Sequence, residues 1–207
     1  ISTNQSVYGY LAVGSGFKVE KFMGSYSTTT RAGVGGNNGN KILLNQKLYI
    51  NNFKDILTNK QINFFNSKIE FIRILKGTNF DYFSENSIKK FLSEQFTVTK
   101  LTDRMGMRLK GPILDNNKET NIRSEGLIKG VIQVPTDGNP IIMLSDHGTI
   151  GGYPKIGVVI SADYDKLVQL PPNAKIKFKL VDLNEAEKLF KFYKMETDNL
   201  LNQIRWI

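Results

Sequence analysis

The chain has 207 residues, 40% of them hydrophobic, and a formal net charge of +9, enough to bury one good core or two small ones that share an interface. It contains no cysteine and a single histidine, His147, which excludes disulfide frameworks, thiolate metal sites and histidine clusters. Metal chemistry would have to use carboxylates alone, and no metal-binding residue is expected. The lysines are scattered (Lys18, Lys47, Lys60, Lys89, Lys118, Lys175, Lys188) with no aromatic stacking motif beside them; the charge reads as a solvated basic surface, and nucleic acid is not an expected partner.

No window approaches the roughly 18 apolar residues of a membrane span, and no signal-peptide pattern opens the chain. A cytoplasmic protein without a membrane partner is therefore expected. The chain starts at Ile1 without methionine, in a polar Ser-Thr-Asn-Gln segment, so a fragment or a processed product is also expected.

In chain order, Val7 to Val13 predicts a strand from its β-branched and aromatic content, ending in the Gly14-Ser-Gly16 turn. Ser25-Tyr-Ser-Thr-Thr-Thr-Arg31 leads into the loop Ala32 to Asn40, which holds four glycines. A nucleotide loop would need a terminal Gly-Lys-Ser/Thr or a helix opening behind it. Instead a short strand over Leu43 to Ile50 is predicted, so the loop reads as structural, with Arg31 a candidate to point into a shared pocket. Residues 51–68, rich in Asn and Lys, predict a linker and a subdomain boundary.

Phe71 to Leu75 alternates as a strand and Gly77 breaks it. Ser84 to Ser93 predicts a helix of two to three turns, and Phe96 to Thr99 a further strand. On a strand, Arg104, Gly106 and Arg108 share one face while Met105, Met107 and Leu109 take the other. An Arg-Gly-Arg face can present two guanidinium groups to a carboxylate or phosphate; the competing reading is two solvated or salt-bridged arginines on an edge strand.

Val131 to Pro135 and Pro140 to Leu144 predict two strands joined through Asp137-Gly138, a hairpin signal that makes Asp137 a turn former before it is a catalytic base. Gln133 is an amide in an apolar strand and needs a partner if buried. Asp146 and His147 then precede Thr149-Ile-Gly-Gly-Tyr-Pro154, whose paired glycines leave amides open to an anion. His147 has the pKa of a general base but no serine or cysteine arrangement beside it. Ser161 to Leu170 predicts a capped helix stopped by Pro171-Pro172, Ala174 to Val181 a last strand, and the segment from Leu183 an amphipathic helix that packs on the barrel or on a partner.

Several of these motifs together resemble a known family. Ser25-Tyr-Ser-Thr with Arg31-Ala-Gly-Val-Gly-Gly36, Asp103-Arg-Met-Gly-Met-Arg-Leu-Lys-Gly-Pro112, Ser124-Glu-Gly126, Gly130-Val-Ile-Gln-Val-Pro135, Asp137-Gly138, and Asp146 with Gly151-Gly-Tyr-Pro154 resemble the C subunit of 5-oxoprolinase, also described as allophanate hydrolase subunit 2. The module is similar to part of the urea carboxylase carboxyltransferase domain.

The resemblance implies a mainly β chain with a few helices (α+β): the remainder of a smaller N-terminal β subdomain and linker over 1–60, a cyclophilin-like β-barrel over 61–182, and a C-terminal amphipathic helix over 183–207. It departs from the family in two places. Family members carry a further N-terminal segment before the strand expected at Val7, and Gly148 stands where the family has Gln.

The function so implied is that of a subunit of an ATP-dependent 5-oxoprolinase, inactive alone, that opens a lactam to glutamate with its sister B and A subunits. ATP is used by the assembled complex, and no biotin is attached to this chain. Gln133 and Asp146 are the expected catalytic residues. Arg104, Arg108, Thr149, Gly151, Gly152 and Tyr153 are the expected substrate contacts, with Arg31, Ser124, Glu125, Asp137 and His147 as further candidates. The alternatives are a carboxyltransferase-like component for urea or a related amide, and a non-catalytic regulator that binds its sister subunit.

Overall fold

Ile72, Ile74, Met107, Leu109, Ile132, Ile142 and Ile156 sit on one face of their strands and are at most 2% exposed, the core face that a two-residue side-chain period sets. The computed structural model describes residues 6–52, 60–61, 70–118, 121–202 and 205–206. The strands are β1 (Lys60–Gln61), β2 (Ile72–Lys76), β3 (Phe96–Val98), β4 (Gly106–Lys110), β5 (Glu125–Gly126), β6 (Val131–Gln133), β7 (Ile141–Met143), β8 (Ile150–Gly151), β9 (Lys155–Val159), β10 (Lys175–Ile176), β11 (Phe178–Leu180) and β12 (Arg205–Trp206). The helices are α1 (Glu85–Ser93), α2 (Ser161–Leu167) and α3 (Leu183–Asn202).

Eight strands form one sheet in the order β10-β3-β4-β7-β6-β9-β2-β11. Its two edge strands are consecutive in sequence. β10 runs antiparallel to β3, and β11 runs parallel to β2, so one stretch of chain ties the two edges into a nearly closed barrel. The strand expected over Ala174 to Val181 is therefore split at Lys177, whose carbonyl accepts from Ile72 N–H at 2.8 Å, because its two halves pair with different strands. Phe91 of α1, Phe96 of β3 and Phe178 of β11 plug this seam, with the Phe91 and Phe178 rings stacked at 4.5 Å.

Helix α1 begins where the sequence places it: Ser84 is its N-cap, and its hydroxyl accepts from Ser87 N–H at 3.1 Å. Helix α2 has no such side-chain cap, which corrects the expected capped start. Its Asp163 instead turns inward at 1% exposure and binds Arg73 of β2, accepting from the Arg73 backbone N–H at 2.8 Å and from its guanidinium. The first half of α3 packs Ala186, Leu189 and Tyr193 against Ile160, Val181 and Leu75. Its Leu183, Phe192 and Leu201 remain exposed.

Contacts group the chain into two units, Ile1–Gly9 with Gln61–Arg205, and Tyr10–Lys60 with Trp206–Ile207. The second unit has isolated bridges in place of the ladders expected there: Phe17 with Ile50 and Thr29 with Val34. Asn45, at φ 63°, turns the chain within the strand expected over Leu43 to Ile50. Val7 to Val13 forms no ladder either; the Val7 and Tyr8 N–H groups donate to the Gln169 side chain at 3.1 and 2.9 Å. Most of the linker expected over 51–68 lies outside the described residues.

Candidate functional site

Registers across four barrel strands set a row of side chains on the face turned away from the main core. Arg108 on β4 lies opposite Ile141 on β7, Ile141 opposite Gln133 on β6, and Gln133 opposite Lys155 on β9. Directly paired residues point to the same face. Between Ile132 and Gln133 the β6–β9 register shifts. That bulge lets Ile156 stay in the core while Lys155 turns to the side of Gln133; bulges commonly re-aim a side chain in this way.

A two-residue ladder, β5 with β8, lies over the Gln133 and Lys155 end of this row. It pairs Glu125 with Gly151 and Gly126 with Ile150. Gln133, 4% exposed, donates through Nε2 to the Tyr153 carbonyl at 3.1 Å, which supplies the partner a buried amide needs. Gly151 sits directly on that amide: a Cβ there would lie 2.7 Å from Gln133 Nε2, so the close approach requires glycine. A Cβ on Gly152 would face the Ser124 hydroxyl at 3.5 Å, and the Thr149 carbonyl accepts from Leu127 N–H at 2.9 Å. Ser124, Glu125, Gln133, Thr149, Gly151, Gly152 and Tyr153 are thus brought together.

Lys155 is the residue the sequence did not single out. Its side chain is 5% exposed and pairs with Glu125 Oε2 at 2.6 Å. Its backbone is held on both sides by Asn79: Lys155 N–H donates to Asn79 Oδ1 at 3.0 Å, and Asn79 N–H donates to the Lys155 carbonyl at 3.1 Å. In a chain of scattered lysines nothing local marks it. The signal available is its place directly after Tyr153-Pro154, at the start of a strand buried on both faces.

The arginines divide. β4 starts at Gly106, so Arg104 does not share a strand face with Arg108, contrary to expectation. The Asp103 carboxylate accepts from Met105 and Gly106 N–H at 2.8 and 3.1 Å and turns the chain there. Arg104 then reaches Asp146 in a two-point ion pair, Nε to Oδ2 at 2.6 Å and a second guanidinium nitrogen to Oδ1 at 3.0 Å. Asp146 N–H donates to the Arg104 carbonyl at 2.9 Å, so pair and backbone together fix the turn after β7.

Arg108 is exposed and lines a shallow groove with Thr99, Lys110, Asp137 and Asn139. Asp137 shapes the hairpin, its carboxylate accepting from Asn139 N–H at 3.1 Å. His147 Nδ1 contacts the neighbouring Gly148 carbonyl at 2.6 Å. Arg31 lies in the turn between Thr29 and Val34 of the other unit.

The Arg104 hydrogen bond holds the Asp146 carboxyl below its ordinary value; burial opposes this, and the charge of Arg104 adds to it. A depressed carboxylate contributes stability above its unfolded value of about 3.9 and loses it as the pH falls through the folded value. Because both partners are exposed, the contribution is under about 1 kcal/mol. A carbon-detected titration should place the Asp146 midpoint below its ordinary value in the wild type and return it there in Arg104→Ala. Equal midpoints would contradict the pairing.

Among the described residues no group of three or more His, Cys, Asp or Glu side chains is placed to hold a metal, and no helix is long and apolar enough to cross a membrane. The glycine-rich loop does not fit nucleotide phosphates. A Cβ on Gly39 would overlap the Gly33 carbonyl group, and one on Gly35 would overlap the Ser27 carbonyl oxygen. These glycines fill the loop with its own backbone and leave no cradle.

The family model described as "Carboxyltransferase domain, subdomain A and B" matches residues 2–180. The chain is 34% identical over 201 residues to the C subunit of 5-oxoprolinase from Escherichia coli (strain K12), covering 95% of this chain and 62% of that protein. It is equally 34% identical over 202 residues to the Haemophilus influenzae protein of the same name, covering 97% and 63%. The chain therefore spans less than two thirds of the length of these relatives. The crystal structure of the K. lactis urea amidolyase superposes with a TM-score of 0.75 at 25% identity, over 90% of this chain and 13% of that one.

Proposed function

The chain belongs to the carboxyltransferase domain, subdomain A and B, family, and from that premise we propose that it is a subunit of an ATP-dependent complex that opens 5-oxoproline to glutamate. The observation that carries this reading is the 34% identity to the 5-oxoprolinase C subunit across 95% of the chain. Sister subunits complete the complex, the nucleotide is bound outside the glycine-rich loop, and the chain alone is inactive.

The site chemistry supports the reading. A lactam amide resists hydrolysis, and negative charge develops on its oxygen as the ring opens, so fixed donors in a water-poor site are what lower the barrier. Gln133 is such a donor: it is buried, held by the Tyr153 carbonyl, and backed by Gly151. Arg108, on the same row, offers a planar fork to a phosphate. Asp146 with Arg104 acts by fixing the turn that leads into β8, a positioning role.

A second reading, carboxyl transfer to urea or a similar amide, is favoured by the superposition on urea amidolyase. Product analysis separates the two. The full-length protein purified with its sister subunits is expected to release glutamate from 5-oxoproline when ATP is added, and to leave urea uncarboxylated in the presence of carboxybiotin. Carboxylated urea without glutamate would overturn the proposal.

A further inference from the structure

The barrel holds a buried cation whose counter-ion sits on a far less firmly held element. Lys155 lies on β9, which pairs with both β6 and β2 in the middle of the sheet, and Asn79 fixes its backbone from both sides. A Cβ on Gly77 would overlap the Lys155 carbonyl oxygen, so this support packs at backbone contact. Glu125 lies on the two-residue strand β5, which pairs with the two-residue strand β8. Its side chain is 46% exposed, against 5% for Lys155.

Stability alone gives no reason for a lysine at this position, because replacing a buried ion pair with apolar side chains of similar size is often neutral or stabilising. A methionine would fill the same space. The geometry gives a different reason: the cation is fixed, faces the side of Gln133, and is covered by a carboxylate that can return to water at small cost. A lysine ammonium has three donors and moves easily between carboxylate partners.

We infer that Lys155 is the carboxylate-binding residue of this site and that Glu125 occupies the ligand carboxylate's place until a ligand arrives. The incoming carboxylate takes the Lys155 ammonium, the Glu125 side chain turns to solvent, and the β5–β8 ladder shifts over the bound molecule. No covalent step is involved. The identification of that carboxylate with 5-oxoproline rests on the function proposed above; the exchange at Lys155 does not.

The test uses the full-length protein labelled with 15N-lysine, with the Lys155 Nζ signal assigned through Lys155→Arg. Acetate, 5-oxoproline and the carboxamide of 5-oxoproline are titrated in turn. Both carboxylates are expected to shift the Nζ signal, whereas the carboxamide leaves it in place. Glu125→Gln, which removes the competing carboxylate, is expected to tighten carboxylate binding by about fivefold or more, and Lys155→Met to weaken it by about tenfold or more.

The inference is overturned if neither carboxylate moves the Nζ signal, or if Glu125→Gln binds no more tightly than the wild type, since a purely structural pair predicts both. A shift with acetate but none with 5-oxoproline would uphold the exchange and overturn the substrate reading. Should Lys155→Met fail to fold, the Nζ signal and the Glu125→Gln arm decide alone.

Discussion

Replacing Gln133 with methionine in the assembled complex is expected to lower kcat for glutamate release by about 10²- to 10³-fold, the usual cost of removing one pre-organised donor to a developing oxyanion. Methionine keeps the volume and removes the N–H groups. The Tyr153 carbonyl loses its partner, at about 1 to 3 kcal/mol, so the variant should fold and assemble. The effect should fall on kcat more than on KM, because the donor is needed most when charge develops. A kcat within about threefold of wild type would remove Gln133 from the catalytic role, against the usual cost of a lost donor.

The second large effect concerns stability. Asp163 is 1% exposed and binds both the backbone N–H and the guanidinium of Arg73. Its hydrogen bond raises the Arg73 pKa; burial opposes this, and the Asp163 and Glu185 charges add to it. Asp163→Ala leaves a partly buried guanidinium without its carboxylate, which costs about 3 kcal/mol, at the lower end for broken buried pairs because Arg73 is 27% exposed and recovers some hydration. For a chain of this size that lowers Tm by roughly 6 to 12 °C. The double variant Arg73→Met with Asp163→Leu should recover only part of the loss, because the Arg73 backbone N–H, which donates to Asp163 at 2.8 Å, stays without its acceptor. A thermal scan showing Asp163→Ala within about 2 °C of wild type would contradict the structural role assigned to this pair.

What the sequence makes legible is what depends on neighbours along the chain. The Asp137-Gly138 hairpin, the helix starting at Ser84 and the break at Gly77 are local chemistry, and each lies where that chemistry predicts it. The gathering of Ser124, Glu125, Gln133 and the Gly151 to Tyr153 segment is legible through the motifs that carry the family resemblance. The row Arg108, Ile141, Gln133 and Lys155 is not, because it depends on three inter-strand registers and a bulge that no single segment encodes.

The misplacement of Arg104 has a similar cause. Strict alternation puts it on the face of Arg108, but the Asp103 carboxylate captures two backbone N–H groups and ends the strand before it. Val7 and Tyr8 donate instead to the Gln169 side chain, more than 160 residues along the chain, a contact no local pattern encodes. The pattern of Ala174 to Val181 is continuous and so predicts one strand; closure of the barrel divides it.

The barrel therefore serves the site in a definite way. Its core face is apolar and sets the registers; its outer face carries Gln133 and the buried Lys155 under the short β5–β8 ladder, with the exposed Arg108 further along the same line.

The most direct test is glutamate release from 5-oxoproline and ATP by the purified sister subunits, measured without this protein, with its full-length wild-type form, and with that form alone. Release is expected only when all subunits are present. Equal release by the sister subunits without this protein, or none from the full assembly, would contradict that expectation.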